Sequence, residues 1–431
     1  MIFYMRSVMA EAMTSYRILV FFAKTWTIIA IIVIVYSALY LPQAAESTDY
    51  MMNFYAAGHL SASGQAAHLY PGPDTLSFTN SPFDKATHAL LRHLPQNLTA
   101  SYSYSPLVAW IFAPLSHLRP NLSLLLWQGL SVAALAISCA LLGRLTRIKG
   151  TDIFFLSFLL FPVFITLWIG QLGIVFGLLP LCAGYFLLMK NRPFLAGLAW
   201  SLLSLKPQYL PAVGLVGLAL AMVGRIHCLA GIMFGSAGLF LANLFIFPQE
   251  ITMKWLISFR ASDAIFSTGL YTVPIHMITS LPSNLLMLFP VSQRPSLKLP
   301  FYLLAAALWL TGLWQGWKLA RSDEDRPSKV PLISAIGLSL LPLVPPHMLY
   351  YDLCMFLPAG VTLTGQESPT PKGDFLRKAA LIAWASIILY FPLFLTVNAN
   401  VAVPLALEFI LLGFFVAMLV FTNTISVGSE R

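Results

Sequence analysis

Charged side chains are scarce in this sequence. Asp, Glu, Lys and Arg make up 10% of its 431 residues, against about a quarter in an ordinary soluble domain. With a mean hydropathy of +0.79, that scarcity excludes a water-soluble fold. Cysteine is also rare. Cys139, Cys182, Cys228 and Cys354 lie in or beside apolar segments without pairing or metal-ligand spacing, which argues against a disulfide framework and leaves them as small buried hydrophobes. There is no phosphate loop, no strong tandem repeat and no metal signature. His59, His68, His88 and His93, together with Asp74 and Asp84, share one polar segment but not a tight ligand spacing, so no metal is expected.

What the chain has instead is apolar length. Its 58% hydrophobic content suffices for about twelve spans of roughly 20 residues, each crossing a hydrocarbon core of about 30 Å. Backbone polar groups in lipid must bond within their own segment, so those spans are expected to be helices. The expected fold class is therefore an all-α polytopic membrane protein, organised as a single domain over residues 1–431. The apolar run after Lys24 ends in no small-residue cleavage pattern and reads as a retained first helix. The net charge of +9 could point to nucleic acid, but Arg144 and Lys149, Lys190 and Arg192, Arg225, Lys318 and Arg321, and Arg377 and Lys378 sit in short segments between apolar runs. That is the positive-inside pattern. It gives orientation, and no nucleic-acid partner is expected.

With the basic segments inside, two polar stretches fall outside, at about 42–104 and about 247–277. The pieces 105–118 and 278–289 are too short to cross and are expected as half-helices. Residues 153–168 and 172–188 form a hairpin whose outer tip is Gly170-Gln171. Residues 194–223 lie between two basic flanks and are broken at Lys206-Pro207-Gln208. Near Lys254, Trp255, Phe259 and Arg260 an amphipathic interfacial helix is expected. This map brings Asp49, the Tyr102-Ser103-Tyr104-Ser105-Pro106 stretch, Gln171, Lys206 and the run from His347 to Asp352 to one face.

Each of these has a plain structural reading. Asp49 could be a solvated acid after a helix, and Gln171 and Tyr104 could bond to backbone at helix ends. Lys206 could snorkel to the headgroups. His347 and Asp352, after Pro345-Pro346, could belong to a structural network beside tyrosines of an interfacial belt. Their order along the chain points further. Asp49-Tyr50, Phe54-Tyr55-Ala56-Ala57-Gly58, Gly64 and Leu69-Tyr70 are followed by Tyr104-Ser105-Pro106-Leu107 and Pro114-Leu115. Then come Gly170-Gln171, Ala196-Gly197-Leu198, Leu205-Lys206-Pro207-Gln208 and Tyr351-Asp352-Leu353. This ordered set resembles glycosyltransferase family 87, integral-membrane enzymes of GT-C fold that take sugar from a polyprenyl-phosphate donor. One departure is Tyr104-Ser105-Pro106 where the family usually has Tyr-Pro-Pro.

The resemblance implies a catalytic base at Asp49 and an active site on the periplasmic face of a bacterial inner membrane. The chemistry agrees. A carboxylate can take the acceptor hydroxyl's proton while the oxygen attacks the anomeric carbon, inverting it in one step. Polyprenyl phosphate leaves readily, and a cation would steady its charge. Lys206 is the candidate, because intramembrane charges usually mark function. Gln171, Tyr104, His347 and Asp352 are candidates for contacting the sugar or its phosphate. The implied partners are a polyprenyl-phosphate sugar donor, hexosyl and of the mannosyl kind in the best-understood members, a lipid or glycan acceptor, and membrane lipids. No Asp-X-Asp pair is present to hold a metal-bound nucleotide sugar, and no cofactor is expected. A transporter or flippase for a lipid-linked sugar, or a non-catalytic assembly component, remains the alternative. A transporter should show inverted repeats or midplane charges, and Glu408 is the main polar residue away from the common face.

Overall fold

Among the described residues, five helices are long and apolar enough to cross a membrane: Thr14–Tyr40, Pro120–Leu145, His227–Ile246, Val291–Arg321 and Ala402–Thr424. The computed structural model describes residues 2–72, 77–146, 148–268, 275–321, 326–366, 370–396 and 401–428. Among the described residues every named element is helical, and the one extended pairing is an isolated antiparallel bridge between Ile278 and Leu349. Shorter apolar helices fill the intervals: Pro106–Ser116, Gly173–Met189, Pro193–Leu205, Pro207–Ala221 and Lys329–Ser339. The chain is thus a polytopic, all-helical membrane protein.

Proline explains much of the difference from a simple bundle of twenty-residue spans. The expected straight helix at 153–168 is two helices, Gly150–Ser157 and Phe161–Trp168, bent by 76°. Pro162 sits in the first turn of the second, where its missing N–H costs nothing and its fixed φ starts a new helix. The apolar stretch 330–344 is helical only as far as Ser339, ahead of Pro342 and Pro345-Pro346. The apolar stretch 348–363 begins as a 3₁₀ segment, Tyr350–Phe356, and becomes α-helical only at Leu357–Gly365. At 194–223 the break falls where the sequence puts it. Pro193–Ser201 tightens into the 3₁₀ turn Leu202–Leu205, and Pro207–Tyr209 opens the second arm, Leu210–Ala221.

The first polar stretch is folded rather than loose. It contains the helices Pro42–Glu46, Tyr50–Tyr55 (a π-helical turn), Ala56–Ala62 and Pro82–Leu90. Its apolar side packs on the half-helix Pro106–Ser116, whose 11 residues rise only about 16 Å. The approach is close enough that a Cβ on Gly58 would stand 2.6 Å from the Phe112 carbonyl. Tyr50, Phe54, Phe112 and Trp127 pack ring against ring at this contact, two pairs stacked and two edge-on. Asp84 ties off the far end, accepting from the backbone N–H groups of Asn80 and Ala100, both at 2.8 Å.

The second polar stretch supplies the helix Gln249–Thr268, as the sequence leads one to expect; residues 269–274 and the Arg260 side chain lie outside the described set. Asn243 anchors it, accepting from Leu107 N–H at 2.9 Å and donating to Thr252 Oγ1 at 2.9 Å. Trp255 Nε1 donates to the Ser103 carbonyl at 3.2 Å. Both polar stretches are therefore fastened to residues 103–107, beside Tyr104.

Candidate active site

The tip that carries Gln171 is held by its backbone. A helix end leaves carbonyls without intrahelical donors, and after Phe161–Trp168 three successive ones are met from outside. Gln128 Nε2 donates to Trp168 O at 2.9 Å, Tyr50 N–H to Ile169 O at 2.9 Å, and Trp127 Nε1 to Gly170 O at 2.8 Å. Gly170 makes the turn at φ +69°, a conformation open to glycine, and a Cβ there would stand 2.6 Å from Tyr50 Cβ. The bond from Tyr50 places the neighbouring Asp49 against the tip.

Gln171 then joins everything at the centre. Its Nε2 donates to Asp49 Oδ2 at 2.6 Å and to Tyr351 Oη at 3.1 Å. Its Oε1 accepts from Lys206 Nζ at 3.3 Å, from Tyr104 Oη at 3.4 Å and from Leu172 N–H at 3.2 Å. The amide has one orientation that works, since reversal would set its oxygen against a carboxylate and its NH₂ against an ammonium. Both ends are occupied by protein groups. Gln171 therefore holds Asp49, Tyr351, Lys206 and Tyr104 to one another.

Behind Gln171 lies a buried ion pair. Lys206 Nζ bonds to Asp352 Oδ1, with the two side chains 1% and 0% exposed. Asp352 also accepts from Tyr209 Oη at 2.5 Å, from Gln208 Nε2 at 3.4 Å and from Leu349 N–H at 3.2 Å. The ammonium lies 4.7 Å from the Tyr351 ring centre and 5.4 Å from that of Tyr209, a favourable position for a cation. Such a pair loses several kcal/mol of hydration per ion and persists only when its remaining bonding capacity is met, as it is here. Lys206 does not snorkel: its ammonium points into the protein.

Asp49 differs from these groups. It and Tyr104 keep partial exposure, while Gln171, Lys206 and Asp352 are buried behind them. Loss of water pushes the Asp49 carboxyl above its ordinary value of 3.8, while the Gln171 amide, the Lys206 charge and Tyr351 pull it back down. The result is a carboxylate fixed on one side and open on the other, with its basicity raised.

Five of the six candidate residues meet in this centre: Asp49, Tyr104, Gln171, Lys206 and Asp352. The sixth, His347, lies on the segment leading into Asp352. Tyr209 and the phenol of Tyr351 belong to the centre and are missed by the sequence reading. Tyr209 had a signal, because positions three apart eclipse in a 3₁₀ turn, and Lys206 and Tyr209 are such a pair. No group of three or more His, Cys, Asp or Glu side chains that could hold a metal is found among the described residues.

A family model described as glycosyltransferase family 87 matches residues 102–346, more than half of the chain. The match takes in Tyr104, Gln171 and Lys206 and stops short of Asp49, His347 and Asp352. Neither a curated protein nor a solved structure gave a match.

Proposed function

The chain belongs to glycosyltransferase family 87, and we propose that it transfers a hexosyl group, of the mannosyl kind, from polyprenyl phosphate to a lipid or glycan acceptor with inversion at the anomeric carbon. The observation that carries this reading is the asymmetry of the two acids. Asp352 is buried and neutralised by Lys206, whereas Asp49 is partly open and held by Gln171 at 2.6 Å. One carboxylate placed to take a proton, with no second one competing for the anomeric carbon, fits a single displacement. Asp49 acts as the base on the acceptor hydroxyl, and the new C–O bond forms opposite the departing phosphate. Lys206 lends positive potential to the phosphate side, where charge accumulates on the leaving oxygen. Tyr104, at the opening, and His347, on the segment before Asp352, are assigned to the donor's sugar and phosphate.

In the same reading the architecture is GT-C, with about twelve passes, five of them the long helices among the described residues. The site faces the periplasm of a bacterial inner membrane, because the basic segments orient the opposite ends of the helices inward.

Two results test the reading. Purified protein in nanodiscs, given a synthetic polyprenyl-phosphate hexose and a glycan acceptor, is expected to yield product of inverted configuration by NMR, at a rate unchanged by EDTA. Retained configuration, or activity lost to EDTA and restored by a divalent cation, would exclude the mechanism.

Acidity gives an independent check. The base must be ionised, so transfer is lost as pH falls through the Asp49 pKa, and that pKa is raised above 3.8. The acid limb of kcat/KM should therefore lie at higher pH than an ordinary Asp would give, and Asp49→Asn should remove it. A rate level down to pH 4 would contradict a desolvated base.

A further inference from the structure

Glu408 is an acid that the proposed chemistry does not use. It lies in the final span, 0% exposed. Its Oε1 accepts from Asn284 Nδ2, while its Oε2 and Asn284 Oδ1 meet no partner among the described residues. Among the described residues the Tyr390 phenol is a titratable group that lies near it. A carboxylate with no cation beside it is costly in such surroundings, whereas a carboxylic acid sharing a hydrogen bond is tolerated.

The Asn284 amide has a second bond, donating to the Ile278 carbonyl at 3.0 Å. Ile278 begins a turn that serves as a template for residues 342–349. It pairs with Leu349, and Thr279 N–H donates to Met348 O at 2.9 Å. Ser280 Oγ donates to Pro345 O at 2.8 Å, Leu281 N–H to Pro342 O at 2.8 Å, and Ser283 Oγ to Pro346 O. The templated segment contains three prolines, which have no N–H to give and cannot continue a helix. Its placement therefore depends on donors from the 278–283 turn. That segment carries His347 and ends at Leu349, whose N–H donates to Asp352 Oδ2 at 3.2 Å.

We propose that Glu408 is a positioning residue for the donor side of the site: through Asn284 it fixes the 278–283 turn, the turn fixes the 342–349 segment, and the segment sets where Asp352, paired with Lys206, stands. Glu408 serves here as a hydrogen-bonding strut and not as a charge. The assignment rests on the transferase reading for its kinetic consequence, while the mechanical part stands on the bonds alone.

The test compares unmutated protein with Glu408→Gln and Glu408→Leu in matched nanodiscs. Donor and acceptor KM and kcat are measured, with hydrogen exchange over residues 345–353. Gln can keep the bond and should behave as the parent. Leu fills the space without the bond, and should raise donor KM roughly three- to thirtyfold, the range of coupled networks, with acceptor KM unchanged and exchange at Leu349 and Asp352 accelerated. A Leu variant with normal donor KM and normal exchange would overturn the strut. A Gln variant as impaired as Leu would also overturn it, since Glu408 would then act by charge. Should the Leu variant not fold, Asn284→Ser, which keeps the acid and removes the amide, is expected to give both changes, and normal values would count against the proposal. An unmutated protein that transfers no sugar would refute the transferase reading and leave the exchange data to decide the strut.

Discussion

Asp49→Asn should lower transfer by about 10²–10⁴-fold, the usual contribution of a positioned general base, while leaving the protein folded and donor binding near normal. Asn matches Asp in size, and its carbonyl oxygen can still accept from Gln171 Nε2, the 2.6 Å bond that holds this side chain in place. The bonds that fix the tip around Gly170 come from Tyr50, Trp127 and Gln128 and do not involve Asp49. What the substitution removes is the ability to accept a proton. Turnover and donor titration on the purified variant separate the two effects. A variant that transfers at a tenth of the parental rate or better would remove Asp49 from the role of base.

That Asp49 stands out in the sequence at all has a physical cause. Chemistry in a membrane enzyme requires polar groups where lipid forbids them, so the few that occur in or between apolar runs are conspicuous. Gly170-Gln171 at a hairpin tip and Lys206 at a helix break are visible for that reason, and both lie in the centre. The pairing of Lys206 with Asp352 is not visible, because it joins residues 146 positions apart and depends on how two broken helices meet. Read alone, Lys206 has the long stem of a snorkelling side chain. The partner that turns it inward belongs to a 3₁₀ segment that the apolar pattern presents as an ordinary span. Proline bends likewise hide the true element boundaries, as at Pro162, since hydropathy registers that a segment is apolar and not that it turns by 76°. Glu408 shows the converse limit. An isolated acid in an apolar helix is easy to see, but its connection to Asn284 passes through tertiary structure alone.

The buried pair changes how the role of Lys206 must be tested. Lys206→Gln alone leaves Asp352 buried without its countercharge, and removing one partner of such a pair commonly costs about 3–5 kcal/mol. That variant should lose stability whether or not Lys206 meets a phosphate. Asp352→Asn should do the same from the other side, leaving the ammonium uncompensated. The combined variant, Lys206→Gln with Asp352→Asn, has no buried charge to strand and keeps groups able to bond to Gln171 and Tyr209, so its thermal midpoint should return most of the way to the parental value. Donor binding should not return with it. If the Lys206 charge steadies the phosphate from behind Gln171, its loss should leave donor affinity roughly tenfold weaker, about 1.4 kcal/mol, in the stable double variant. Thermal unfolding and donor titration in matched nanodiscs read the two quantities separately. Parental donor affinity in a double variant of parental stability would show that the pair only holds Gln171 in place, and the phosphate contact would then fall to His347.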